Sequence, residues 1–168
     1  MIHIGECLVG SGGNLAHVNL LLGPRDGPVG AAFATAAASP APGHVPFQLV
    51  LKPNLPVKPA TLFIAKAVLR NEWHETLTWG AGQAGVAAGI TSALMQGLLP
   101  PQAEDGWLAI ALVWVDWNAD DAERVYANNK AAAYTAVQRA LLSSWPSRAE
   151  LAQGLASVGN PFFTPKLP

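Results

Sequence analysis

The chain has 168 residues, of which 51% are hydrophobic and only 12% are charged, and its formal net charge is −1. Its ten Lys and Arg residues are scattered, so the basic stripe of a nucleic-acid-binding protein is missing. The length allows one domain with a substantial core. Because an average domain has about 25% charged residues, the low share predicts that identical subunits cover part of the surface, as in a homo-oligomer.

Other features narrow the class of protein further. The single cysteine, Cys7, excludes an internal disulfide and a zinc site with several cysteines. The N-terminal residues do not have the basic segment and long apolar core of a signal peptide. The longest apolar run, Leu108 to Val115, is too short to cross a bilayer. We therefore expect a cytoplasmic protein.

The first half of the chain is predicted to be mostly strands. Residues 2–9 and 15–22 flank the glycine-rich segment 10–14, which predicts a β-hairpin. Residues 31–39 are alanine-rich and predict a short helix. Further strands are predicted at 47–51 and 61–69. The three prolines that lie between them predict a stiff connection without regular ladder bonding.

The second half is predicted to be mainly helical. Asn71 is a candidate N-cap for a short helix that ends at Trp79. The glycine-rich segment 80–85 predicts a bend, after which a helix continues to about Leu99. The apolar residues 107–117 predict a buried strand.

Two capping signals mark the last helices. Asn118 with Asp121 resembles a capping box and predicts a long helix through Ser143, and Ser147 with Glu150 repeats the signal. Residues 160–168 predict an extended tail. We predict a single α+β domain over residues 1–168, with a mixed sheet and one layer of helices.

His17 and Asn19 are the first candidate site residues. Because strand side chains alternate, they share one face of the second strand, opposite an apolar face. Two neighbouring polar groups indicate a patch for a polar ligand. The alternative is a solvated strand face with an ordinary histidine. The apolar face is formed by Ala16, Val18, Leu20 and Leu22.

Lys66 lies in an otherwise apolar segment, next to Ala65 and Ala67. An unpaired buried ammonium is unfavourable by several kcal/mol, so such a lysine either reaches water or contacts an anion. Near apolar walls its pKa would fall, or it would hold an acidic part of a substrate.

The segment from Gly80 to Gly85 matches the G-x-G-x-x-G pattern of dinucleotide-binding loops. The context argues against that interpretation, because no buried parallel strand precedes the segment and little chain follows it. A tight bend that lets backbone approach a neighbour or ligand is favoured instead. In it, Gln83 offers both a donor and an acceptor to a heterocycle.

Other reactive side chains give weaker signals. The four histidines do not have metal-ligand spacing. Cys7 and His17 are expected to face one another across the hairpin, which would allow a thiolate nucleophile, although an inert buried thiol is the usual case. The tryptophans at 107, 114 and 117 are core, interface or ligand-stacking residues.

Several ordered segments resemble the formaldehyde-activating enzyme family. They are Gly5 to Gly10, Ala16 to Leu20, Gly23 to Arg25, and Pro53 to Leu62 with its proline-rich pattern. The spacing from the last segment to Lys66 and to Gly82-Gln83 is similar to that of the family. The resemblance runs from about residue 4 to about residue 142, and the C-terminal residues 143–168 match less well.

The resemblance implies a hydro-lyase that condenses formaldehyde with tetrahydromethanopterin, which serves one-carbon metabolism and formaldehyde detoxification. It further implies a cytoplasmic homopentamer with a left-handed βαβ crossover and the pterin in clefts between subunits, without a metal or a permanently bound cofactor. His17 matches the position of the catalytic acid. Lys66 and Gln83 match two substrate-contacting positions.

Three substrate-contacting positions depart from the family pattern. Asn19 replaces an aspartate, Gln48 a leucine and Val68 a threonine. Loss of the carboxylate removes an acceptor for the amino-pyrimidine edge and a charge that favours protonated imidazole. The chain therefore resembles a divergent paralogue, and the alternative to catalysis is a protein that only binds or senses formaldehyde or a pterin.

Overall fold

A computed structural model describes residues 1–142 and 146–156. The strands are β1 His3–Val9, β2 Ala16–Pro24, β3 Phe47–Gln48, β4 Val50–Lys52, β5 Leu55–Pro56, β6 Ala60–Ala65 and β7 Trp107–Val115. The helices are α1 Pro28–Ala38, α2 Glu72–Thr76, α3 Gln83–Met95, α4 Ala103–Gly106, α5 Ala122–Leu142 and α6 Arg148–Ala156. None of the described helices combines the length and apolar character needed to span a bilayer.

The main sheet has five strands in the order β1-β2-β7-β6-β3. β1, β2 and β7 pair antiparallel, β6 pairs parallel to β7, and β3 pairs antiparallel to β6. β4 and β5 form a separate two-stranded sheet. The predicted α+β fold with a mixed sheet is thus confirmed. The chain between β6 and β7 contains α2 and α3, as in a βαβ unit, and the left hand of this crossover stays a prediction.

One face of the sheet is covered by α5, and α3 packs against α5. We call it the helix-covered face; it carries Cys7, Val18 and Leu20, all almost fully buried. The backbones of β1 and α5 lie close together, since a Cβ added at Gly5 would lie 1.9 Å from the carbonyl oxygen of Ala136. The apolar face predicted for the second strand is therefore the one that contacts α5.

The opposite side, which carries Glu6, His17 and Asn19, we call the open face. α1 contacts β2 and β7 at one end of it, where a Cβ added at Gly23 would lie 3.1 Å from Val29. The three polar residues are partly or largely exposed. The helices thus form one main layer, with α1 as an addition on the other side.

Two strand predictions need correction. The strand predicted at 47–51 is interrupted and forms β3 and β4, and the one predicted at 61–69 ends at Ala65. The proline-rich connection does carry ladder pairing, because β5 pairs with β4 through Val50 and Pro56. Pro56 is tolerated in this short two-stranded sheet because a proline is compatible with an edge position. Asn54 makes the turn with a positive φ of 66°.

The predicted bend at 80–85 is wrong. A π-helical turn, Leu77–Gly82, leads directly into α3, so the segment is helical and is not a dinucleotide loop. Gly85, and Gly89 one turn later, instead allow α3 to pack closely on α5. A Cβ at Gly85 would lie 2.4 Å from the carbonyl oxygen of Tyr126 on α5, and one at Gly89 would lie 2.5 Å from that of Lys130.

The capping predictions are mostly confirmed. Asn71 Oδ1 accepts a hydrogen bond from His74 N at 2.8 Å, and Ser147 and Glu150 bond reciprocally before α6. For α5 the cap is Asp121 rather than Asn118, since Asp121 Oδ1 accepts from Arg124 N at 3.0 Å. Ser143 and the predicted tail at 160–168 lie outside the described residues.

Candidate active site

The hairpin register places Glu6 next to His17 on the open face. Glu6 pairs with Asn19 and Leu8 pairs with His17 across the antiparallel strands β1 and β2. Glu6 is therefore a diagonal neighbour of His17, and long side chains reach each other over that separation. His17 and Asn19 share a face, as predicted.

His17 contacts the Glu6 carboxylate. Its Nε2 lies 3.0 Å from Glu6 Oε1, and the side chains are 24% and 50% exposed respectively. Arg139, on α5, donates to the Glu6 backbone oxygen at 2.7 Å and lies 3.5 Å from Glu6 Oε2. Glu6 is not among the site residues that the sequence predicts. The alternation of side chains in the hairpin could have indicated Glu6. This residue lies two positions from the one opposite His17, and residues two apart in a strand share a face.

Lys66 reaches the same cluster from the other side of the central strand. It follows β6 directly, and its backbone N–H still donates to Val113 at 2.8 Å. Its Nζ donates to Asn19 Oδ1 at 2.5 Å, across β7. Lys66 is partly buried, and its partner in this contact is a neutral amide rather than an anion.

The cluster holds two bases whose pKa values are both low. Burial lowers the pKa of His17, the Lys66 charge lowers it further, and Glu6 opposes both effects. Burial lowers the pKa of Lys66 to about 8, against the opposing effect of Glu6. Near neutral pH the site therefore contains an imidazole that can give or take a proton and an amine with an appreciable neutral fraction.

Aromatic side chains border the cluster. Trp114 is directly opposite His17 in the β2–β7 register, so it lies on the open face. Trp117 meets Trp114 edge to face at 5.3 Å between ring centroids, and the Arg70 guanidinium lies 3.5 Å from the Trp117 ring centroid. These rings are available to contact a flat ligand. Trp107 lies apart from them, stacked on His3.

Gln83 and Gln48 are not brought to this cluster within one chain. Gln83 begins α3, in the helical layer behind the sheet, and its Oε1 accepts from the backbone N–H of Val50 at 3.1 Å. Gln48 is an exposed residue of the edge strand β3, two residues before Val50. The two glutamines are therefore close to each other in the chain fold, at the β3–β4 edge.

Val68 lies beside a cleft close to Lys66. It is half exposed and lines an apolar cavity of about 230 Å³. The Val68 backbone oxygen accepts a hydrogen bond from Trp117 Nε1 at 3.0 Å. The other lining residues are Gly43, Val45, Ala65, Leu69 and Trp79.

The expected thiol–imidazole arrangement is wrong. Cys7 pairs with Val18 and is buried on the helix-covered face, whereas His17 lies on the open face. Burial raises the pKa of the Cys7 thiol, which is the opposite of what a nucleophile requires. Among residues 1–142 and 146–156, no three His, Cys, Asp or Glu side chains are placed to hold a metal ion.

Comparisons with known proteins assign the chain to a family. The model of the family described as formaldehyde-activating enzyme (Fae) matches residues 4–163. The chain belongs to the formaldehyde-activating enzyme family. The match extends beyond residue 142, so the similarity reaches further towards the C-terminus than the motifs alone indicate.

Curated relatives are found in archaea. The chain is 37% identical to 5,6,7,8-tetrahydromethanopterin hydro-lyase of Methanosarcina barkeri over 159 residues, which covers 95% of this chain and 89% of that protein. It is 39% identical to the bifunctional enzyme Fae/Hps of Methanosphaerula palustris over 141 residues, 84% of this chain and 36% of that protein. The chain therefore spans nearly all of the first relative and about a third of the second.

Proposed function

We propose that the chain condenses formaldehyde with tetrahydromethanopterin to give the methylene derivative and water, as a hydro-lyase of one-carbon metabolism and formaldehyde detoxification. The observation that carries this proposal is the cluster of Glu6, His17, Asn19 and Lys66 on the open face of a member of this family. The hydro-lyase of Methanosarcina barkeri, named for the same pterin, supports the choice of co-substrate.

His17 is proposed as the general acid. Attack of a pterin amine on formaldehyde gives a carbinolamine, which must lose hydroxide before the second amine can close the ring. Hydroxide is a poor leaving group, so an imidazolium that protonates it lowers the barrier; general acid catalysis of this kind is worth about 10²–10⁴-fold. Glu6, 3.0 Å from the ring, orients the imidazole and favours its protonated form.

Asn19 and Lys66 are proposed to bind the substrates, and Gln48, Val68 and Gln83 to contact the pterin. Asn19 and Lys66 already hold each other at 2.5 Å, which fixes both side chains on the open face. Gln83 lies on the other side of the sheet, and Gln48 lies at its far edge. A ligand that contacts all five residues requires a second copy of the chain, which supports a homo-oligomer, and a pentamer is proposed from the family resemblance.

The proposed reaction uses groups of the protein and the two substrates. Tetrahydromethanopterin is a co-substrate, and we propose no permanently bound cofactor and no metal. The pterin would be aligned beside the acid, which supplies the orientation that a bimolecular reaction lacks. We expect the enzyme in the cytoplasm, with neither nucleic acid nor membrane as a partner.

His17→Ala tests this function. The variant should lose the acceleration of methylene-tetrahydromethanopterin formation, by about 10²–10⁴-fold if His17 supplies all of the acid catalysis. The measurement is the initial rate above the spontaneous reaction in the same buffer. His3→Ala, at the N-terminal end of the same hairpin, is the matched control and should keep the wild-type rate. Equal rates for wild type and His17→Ala would refute the role of His17.

If the wild-type protein binds the pterin without any acceleration, the chain is a binding protein and not a catalyst. Quenching of tryptophan fluorescence on titration with the pterin measures that binding, because Trp114 and Trp117 lie beside the cluster. The proposed function requires both binding and acceleration.

A further inference from the structure

The Lys66 amine has a setting that substrate binding alone does not require. Its Nζ is held at 2.5 Å from Asn19 Oδ1, in a half-buried position on the face that also carries His17. An amide oxygen accepts a hydrogen bond from a neutral amine as well as from an ammonium, although the ammonium makes the stronger bond, so the contact fixes the nitrogen in either protonation state. A site that only binds an anion would favour a side chain that is permanently charged.

We propose that Lys66 is a covalent catalyst that captures formaldehyde as an iminium and passes the carbon to the pterin. This inference rests on the proposed function, since it gives the same overall reaction by another route, in which the Lys66 amine rather than a pterin amine attacks formaldehyde first. The side chains that carry it are Lys66, Asn19 and His17, which lie together on the open face.

Each step balances in atoms and electrons. The neutral Nζ attacks the carbonyl carbon, a C–N bond forms, and one proton moves from nitrogen to oxygen to give a carbinolamine. His17 as imidazolium then protonates the hydroxyl, the C–O bond breaks, and water leaves behind a methylene iminium on Lys66. Covalent catalysis of this type divides one difficult addition into two easier ones.

Transfer regenerates the lysine. One pterin amine attacks the iminium carbon and loses a proton, which gives an aminal that bridges Lys66 and the pterin. Protonation of the lysine nitrogen breaks its bond to carbon, and the second pterin amine closes the ring with loss of a proton. The sum is formaldehyde plus two N–H groups giving N–CH₂–N and water, without any oxidant or reductant.

Burial of Lys66, rather than the charges around it, supports the required neutral amine by lowering the pKa. Glu6 on β1 favours the ammonium, but this carboxylate lies against His17 Nε2 and also approaches Arg139 from α5. With a pKa of about 8, Lys66 is neutral in about one molecule in ten at pH 7, against roughly one in 2,500 for an ordinary lysine. His17, whose pKa is also lowered, is the third titratable group of the cluster, beside Lys66 and Glu6.

Trapping of the iminium tests the proposal without the pterin. The protein is incubated with formaldehyde and cyanoborohydride at pH 7, which reduces an iminium to a methylated amine, and each lysine peptide is quantified by mass spectrometry. Lys66 should be methylated faster than the exposed Lys52 and Lys130, by about tenfold or more, because the Lys66 amine has an appreciable neutral fraction at pH 7. Its rate should rise with pH up to about 8 and then level off.

Asn19→Asp sharpens the test. A carboxylate in contact with Nζ raises the pKa of Lys66 by about 1–3 units, so methylation of Lys66 at pH 7 should fall at least tenfold. Asn54→Asp places the same charge in the β4–β5 turn and should leave Lys66 labelling unchanged. Equal labelling in the two variants would contradict the proposal.

Two variants connect labelling to turnover. Lys66→Arg keeps a cation but cannot form an iminium, so it should abolish both labelling and acceleration of the pterin reaction, whereas Lys130→Arg should keep both. If the wild type accelerates the reaction and Lys66→Arg accelerates it equally, the covalent role is overturned while the proposed function stands. If the iminium on Lys66 is trapped but the pterin reaction is not accelerated, the proposed function is refuted, whereas the capture of formaldehyde by Lys66 stands.

Discussion

The two faces of the hairpin β1–β2 differ in both burial and polarity. On the helix-covered face, Val18 and Leu20 are 0% and 1% exposed and pack beneath α5. On the open face, one residue away, His17 and Asn19 hold a polar cluster with Glu6 and Lys66. Because strand side chains alternate, one segment supplies both stability and chemistry, and the two contributions are separable by mutation.

Leu20→Ala should produce the largest effect on the covered face. Truncation of a fully buried leucine lowers the free energy of unfolding by about 2–5 kcal/mol. Chemical denaturation monitored by tryptophan fluorescence gives this value. The rate per folded molecule should stay that of the wild type, since Leu20 points away from the cluster. A full loss of catalysis in folded Leu20→Ala would contradict the separation of the two faces.

Glu6→Gln should produce an intermediate effect on the open face. The amide keeps a hydrogen-bonding group beside His17 but removes the charge that raises the pKa of His17 and of Lys66. Both pKa values should fall. At pH 9, where Lys66 is already mostly neutral, the smaller protonated fraction of His17 should lower the rate of methylene-pterin formation by about tenfold for one unit of pKa, whereas at pH 7 the larger neutral fraction of Lys66 offsets most of that loss. Glu104→Gln, which removes an exposed acid next to Lys58, is the matched control. An unchanged rate in Glu6→Gln at pH 9 would remove Glu6 from the site.

The pH dependence should produce the smallest and most specific effect. In the proposed mechanism His17 acts in its protonated form and Lys66 in its neutral form. At a pH between the two pKa values, each of these is the less populated form of its group. The profile of kcat/KM should then be bell-shaped, with one limb below pH 6.5 and the other near pH 8. In Glu6→Gln both limbs should move to lower pH. A profile that rises steadily to pH 9 would contradict the role of protonated His17.

The sequence predicts the faces of the strands better than the contacts between side chains. The alternation around His17 identifies its face, and the apolar surroundings of Lys66 identify Lys66, which the resemblance then supports. The Glu6–His17 contact depends on the hairpin register, which a flexible glycine-rich turn does not specify, and the Lys66–Asn19 contact spans an intervening strand. Pairings between distant strands are set by tertiary packing and cannot be read from local periodicity.

The glycine-rich segment before α3 shows a second limit. Gly80, Gly82 and Gly85 predict a bend from local conformational freedom, but the chain there is helical. Gly85 is required because the α3 backbone lies against that of α5, where a Cβ would be 2.4 Å from a carbonyl oxygen. The same residue type serves turns and close packing, and only the packed structure distinguishes the two.

The rate of methylene-tetrahydromethanopterin formation by the purified wild-type protein tests the central claim, that the open-face cluster catalyses one-carbon transfer. Formaldehyde and tetrahydromethanopterin are mixed with and without protein at pH 7, and product formation is followed by absorbance. The cluster predicts an initial rate well above the spontaneous one, proportional to protein concentration. A rate equal to the spontaneous reaction at every protein concentration would contradict it.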